Sequence, residues 1–200
     1  AMNHHPLMRA LWRPRLMKAL EWVEAEIAAN PGREPTLIER KGEWTYRGVR
    51  IRGKADRIDR LADGTLAVVD YKTGQPPSGK QVEKGYALQL GTTGLMVRHG
   101  AFEGLQGEPT AFEYWSLAKS RKEKDKFGYV ATPLLVDAKR TGIAPGDFLP
   151  EAQRYLDDAL DRWILGEQPF TARLNPDEPV YATFDQLMRL DEWLGRGDRE

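Results

Sequence analysis

The chain has 200 residues, with 30 Lys and Arg against 30 Asp and Glu, so its formal charge is zero. It therefore lacks the global basic field that marks many nucleic-acid binders. It has no cysteine, which excludes disulfides, thiolate zinc sites and any iron–sulfur cluster. No apolar stretch approaches the ~20 residues of a membrane span, and no signal-peptide pattern is present. The sequence predicts one cytoplasmic domain over residues 1–200, with a sizeable core and no membrane contact, belonging to a longer protein.

Trp12, Leu16, Leu20, Val23 and Ile27 recur at helical spacing and predict a helix over 14–29 with a core-facing stripe. Pro14 belongs in its first turn, and Asn30-Pro31-Gly32 stops it. Thr36 to Tyr46 and Val49 to Arg60 read as antiparallel strands around Arg47-Gly48. Glu39 on the first of them could serve a metal site or pair with Arg57 or Lys54.

The centre of the chain is Gly53-Lys54-Ala55-Asp56-Arg57-Ile58-Asp59, followed by Leu66-Ala67-Val68-Val69-Asp70-Tyr71-Lys72-Thr73-Gly74. The second run is a buried strand ending in a carboxylate, one residue and an amine. Alternation puts Asp70 and Lys72 on one face and turns Tyr71 away. Between the runs, Leu61-Ala62-Asp63-Gly64-Thr65 is a hairpin signal. A two-residue turn would set Asp56 opposite Tyr71. A three-residue loop with Gly64 left-handed pairs Leu61 with Thr65 and sets Asp56 opposite Asp70. Opposed like charges cost a sheet stability, so that register makes sense only where a cation joins them. It is the register preferred here. Asp-x-Lys alone is common on solvated hairpin ends; the combined string is far more specific.

Gly74 to Gly79 is a Pro- and Gly-rich loop, and Lys80 to His99 reads as one helix through Val82, Tyr86 and Leu90. Gly85, Gly91 and Gly94 weaken it by up to ~1 kcal/mol each, so close packing is the expected compensation. Ala111 to Leu117 is an alternating aromatic strand. The mixed-charge run Lys119 to Lys126 is either a solvated loop or a phosphate contact. Pro150 to Gly166 is an amphipathic helix, Val180 marks a short strand, and a last helix over 184–194 takes Thr183 as N-cap. The order predicts an α/β fold with a mixed central sheet flanked by helices.

These motifs resemble the nuclease domain of the RecB/AddB family, a branch of the PD-(D/E)XK superfamily. In that family Gly-x-x-Asp and Asp-Tyr-Lys-Thr-Gly sit on successive strands, followed by a helix with Gln-Leu, here Gln89-Leu90. The resemblance is strongest to the C-terminal domain of AddB-type subunits of helicase-nucleases. It implies Asp56 and Asp70 as metal ligands for Mg²⁺ or Mn²⁺, with the Tyr71 carbonyl as a third. It also implies Lys72 as the catalytic amine and Gln89 as a substrate contact. A DNA exonuclease of double-strand-break end resection follows, with DNA and an AddA-like subunit as partners. The other reading is a non-catalytic DNA-binding or subunit-docking domain that keeps the fold. Two departures stand out. Thr93 replaces a Tyr often found four residues after the Gln, and the only histidines upstream of Asp56 are His4 and His5. In the family an upstream helical His completes the metal shell, so an incomplete shell and weak metal binding are expected here.

Overall fold

The computed structural model describes residues 6–120, 126–136 and 139–169, except for the side chains of residues 6–11. The chain divides into two compact units, Ala1–Leu156 and Asp157–Glu200. In the first, helix α1 (Pro6–Ala29) precedes three strands, β1 (Glu34–Tyr46), β2 (Val49–Arg60) and β3 (Leu66–Lys72). Helices α2 (Gly79–Glu83) and α3 (Gln89–Arg98) lead to β4 (Pro109–Lys119) and β5 (Phe127–Ala131). Helix α4 (Phe148–Ala159) follows, and in the second unit a π-helical turn, Leu160–Ile164, continues the chain. The expected strand at Val180 and helix over 184–194 lie outside the described residues, as do 121–125 of the mixed-charge run.

The five strands form one mixed sheet in the order β1-β2-β3-β4-β5. β3 and β4 run parallel; the other neighbours are antiparallel. Parallel strands need a long crossover, and α2 with α3 supplies it. On one face α3 packs over Ile58, Val68, Phe112 and Tyr114 in the main core. A Cβ on Gly91 would meet Ala152 at 2.5 Å, and one on Gly94 would meet Phe112 at 2.6 Å. Close packing is thus what these helix glycines allow. On the other face Trp22 of α1 meets Trp115 edge-on, with centroids 5.6 Å apart.

Two expectations about helices are corrected. α1 begins at Pro6, so Pro14 lies inside it rather than in its first turn. Its apolar stripe is not the buried face: Trp12, Leu16, Leu20 and Ile27 are exposed, whereas Ala19 is buried and Trp22 touches the sheet. The face is chosen by a small residue and a ring that fits Trp115, not by the longest run of apolar spacing. The helix expected over 80–99 is broken in two. Gly85 takes φ +76°, and Tyr155 of α4 packs against it while donating its hydroxyl to the Glu83 carbonyl at 2.7 Å. A tertiary contact thereby ends α2 at a residue that only glycine occupies without strain.

Candidate active site at the end of the second hairpin

The β2–β3 turn sets the register of everything around it. Leu61 and Thr65 pair through Leu61 N–H to Thr65 O at 2.9 Å, and Gly64 has φ +83°. The Asp63 carboxylate accepts from both the N–H and the hydroxyl of Thr65, which holds it below its ordinary pKa. The ladder then runs Arg60↔Leu66, Asp59↔Ala67, Ile58↔Val68 and Arg57↔Val69. One further step brings Asp56 level with Asp70. This is the three-residue-loop register.

At that point the side chains converge. Asp56 Oδ2 accepts the Tyr71 backbone N–H at 3.0 Å. Lys72 Nζ lies 2.6 Å from Asp70 Oδ2 and donates to Gln89 Oε1 at 2.8 Å. Breaking the 80–99 helix makes Gln89 the first residue of α3, which is how it reaches the strand end. Asp70 is nearly buried, and its pKa is raised. Burial is the main cause, the adjacent Lys72 ammonium opposes it, and the charge of Asp56 adds to it. Beside Asp70 in register stands Tyr114, with the Lys72 ammonium 5.7 Å from its ring centre. The Tyr114 hydroxyl is buried without a partner among the described residues, and burial followed by the charge of Asp70 raises its pKa.

The opposite face holds the strands in place. Tyr71 points away from the carboxylates, its ring edge-on to Trp115 and its hydroxyl 3.4 Å from Arg57 Nη1. Asp59 is fully buried, with Arg57 Nε at 2.7 Å and Arg33 Nε at 2.5 Å. Arg33 also pairs with Glu113 at 2.9 Å, and Glu113 accepts the Trp115 indole N–H. Two guanidinium groups and two carboxylates balance, as a buried charge cluster requires. Arg33 carries no signal in the sequence, because its partners lie 26 and 80 residues away.

Glu39 falls opposite Asp56 in the β1–β2 register and has φ +52°, but its carboxylate pairs with Lys54. Arg57 pairs with Asp59 instead. His99 is exposed at the end of α3, stacked on Trp44 with centroids 4.4 Å apart, and takes no part in the site. His4 and His5 lie outside the described residues. Among the described residues no group of three or more His, Asp or Glu side chains could hold a metal ion. Asp70 Oδ2 nonetheless suits a cation. It is buried and, despite the nearby ammonium, lacks a properly directed hydrogen bond from the described residues. Hard divalent cations take such oxygens together with carbonyls and water.

An alignment over 69 residues, covering 32% of the chain, is 35% identical to an uncharacterized protein of Rickettsia bellii, and the match spans only 8% of that protein's length. The model of the PD-(D/E)XK nuclease superfamily matches residues 2–176. A match of that extent shows the family: the chain belongs to the PD-(D/E)XK nuclease superfamily.

Proposed function

We propose that the chain is a divalent-metal-dependent DNA nuclease domain of exonuclease type. Members of the superfamily are usually metal-dependent nucleases, and DNA is the substrate their fold implies. The observation that carries the reading is the meeting of Asp56, Asp70, Lys72 and Gln89 at one strand end. Phosphodiester hydrolysis needs an activated water and neutralised phosphate charge, which Mg²⁺ or Mn²⁺ supplies when bound.

Asp56, Asp70 and the Tyr71 carbonyl are the groups that would hold the ion. Lys72 would neutralise developing charge on the phosphate and orient the attacking water. Its hydrogen bond to Gln89 keeps the ammonium at the strand end, and Gln89 would touch the substrate strand. The buried face beneath, from Tyr114 to the α3 core, excludes water from one side of Asp70.

The wider role proposed is end resection at double-strand breaks, as the AddB-like domain of a cytoplasmic helicase-nuclease with an AddA-like partner. The proposed domain covers residues 1–200. The motif resemblance supports this role, and the long Rickettsia relative fits a domain set within a larger protein. Among the described residues no helix is long and apolar enough to cross a membrane.

One observation favours a second reading, a non-catalytic DNA-binding or subunit-docking domain: the described residues offer fewer than three clustered metal-binding side chains. Incubating the chain with single- and double-stranded DNA in Mg²⁺, Mn²⁺ or EDTA decides between them. Metal-dependent degradation supports the nuclease. Binding without degradation in any metal supports the rival.

A further inference from the structure

The chain is neutral overall, but its charge is unevenly distributed. Residues 39–54 hold six basic side chains, Arg40, Lys41, Arg47, Arg50, Arg52 and Lys54, against two acidic ones, Glu39 and Glu43. This surplus of four lies on the projecting part of the β1–β2 ribbon, and the rest of the chain carries the compensating negative charge.

Alternation sorts these residues by face. Ile51, Gly53 and Ala55 turn inward, while Arg50, Arg52 and Lys54 are exposed. Across the ladder, exposed Lys41 stands opposite Lys54, Glu43 opposite Arg52 and Thr45 opposite Arg50. The Lys41–Lys54 pair sets like charges directly opposite each other, which costs stability unless an anion lies over them. Glu43 and Glu39 pair with Arg52 and Lys54, but these are exposed ion pairs of little worth, readily exchanged for phosphate. Lys41 and Arg50 have no acidic partner among the described residues.

The inner face fixes the ribbon to the body. A Cβ on Gly42 would meet the Phe102 ring at 2.6 Å, and one on Gly53 would meet the Met96 sulfur at 2.9 Å. Trp44 stacks on His99, and Glu43 N–H donates to the Ala101 carbonyl at 3.1 Å. The basic face is therefore presented on a held ribbon. Along the chain it adjoins the candidate site, because Lys54 precedes Asp56 by two residues on β2. Arg50 precedes it by six, about 20 Å along a strand.

We infer that the outer face of the β1–β2 ribbon, through Lys41, Arg50, Arg52 and Lys54, is a track for the DNA backbone beside the Asp56–Asp70 site. This rests on the nuclease reading for its substrate but not for its test. Sequence-independent affinity comes from such cation–phosphate pairing, and removing any one of the cations makes binding less sensitive to salt.

The test uses the full chain and fluorescein-labelled oligothymidylate or a duplex, with EDTA present so that nothing is cut. Binding is followed by anisotropy from about 50 to about 200 mM salt. The Lys41→Glu/Arg50→Glu variant should bind at least about tenfold more weakly at the low-salt end. On single strands its log–log salt slope should be shallower by about 1.4 for two phosphates released. Arg15→Glu/Lys18→Glu on α1 makes the same change in net charge and should leave binding near wild type. If the reversed ribbon fails to fold, Lys41→Gln/Arg50→Gln should show the same slope change. Three results would overturn the track: unchanged affinity and slope in the ribbon variants, an equal loss in the α1 variant, or no DNA binding by the unaltered chain. Hydrolysis of bis(p-nitrophenyl) phosphate with Mn²⁺ by the unaltered chain, measured in parallel, reports on the catalytic reading separately. The track can therefore fail while the nuclease stands, and the reverse.

Discussion

Lys72 Nζ donates to Gln89 Oε1 at 2.8 Å, tying the end of β3 to the first residue of α3. The contact depends on the helix break at Gly85, since Gln89 on a continuous helix would not begin a new one at the strand end. The ammonium is thereby held between a carboxylate and an amide.

Gln89→Ala should therefore leave the fold intact, because one exposed hydrogen bond contributes only about 0.5–1.5 kcal/mol. Cleavage should fall by about 10- to 100-fold through loss of orientation, mostly in the rate at saturating DNA. Single-turnover cleavage beside thermal unfolding checks this; equal losses of stability and rate would make Gln89 merely structural.

Asp70→Asn should abolish metal-dependent cleavage. In EDTA it should not destabilise the protein, and it should stabilise it if relief of burial and of the Asp56 charge outweighs removal of the Lys72 pair. Thermal unfolding with and without Mn²⁺ separates the two effects: Mn²⁺ should raise the wild-type midpoint and leave the variant unmoved. Wild-type cleavage by the purified variant would remove Asp70 from the site.

The parts legible in the sequence are those governed by near neighbours. Asp63-Gly64 set the hairpin loop, the loop set the register, and the register brought Asp56 level with Asp70. Alternation placed Tyr71 on the far face from Lys72. What could not be read depends on distant partners. Tyr155 ends α2 from 72 residues further along the chain, and Trp115 selects which face of α1 is buried. Strand β5 is short and carries Gly128 at φ +77°, where a Cβ would strike Trp22, so its alternation is broken where the helix packs.

Tyr114→Phe should stabilise the protein by about 1 kcal/mol, since the buried hydroxyl has no partner among the described residues and costs its desolvation. Urea unfolding measures this. A clear loss of stability would mean that the hydroxyl has a partner in solution.

The pH dependence follows from Asp70. Its folded-state pKa lies above the ordinary carboxyl value, through burial first and the charge of Asp56 as a further raising cause. The folded state therefore holds the Asp70 proton more tightly than the unfolded chain does. This group favours folding at pH below the ordinary carboxyl pKa, and that contribution is lost as pH rises through the raised value. A cation needs the carboxylate, so Mn²⁺ affinity should run the other way and strengthen across the same window. Asp56→Asn removes one raising cause and should shift the stability curve to lower pH; because it also removes a ligand of the proposed site, it should weaken Mn²⁺ binding across the whole range. Unfolding midpoints in EDTA and Mn²⁺ calorimetry from about pH 4 to about pH 7 give the two profiles. Asp70→Asn should flatten the first and eliminate the second. If Asp56→Asn left the stability profile of metal-free protein unmoved, the two carboxylates would not be coupled, and the case for a shared ion would fall with them.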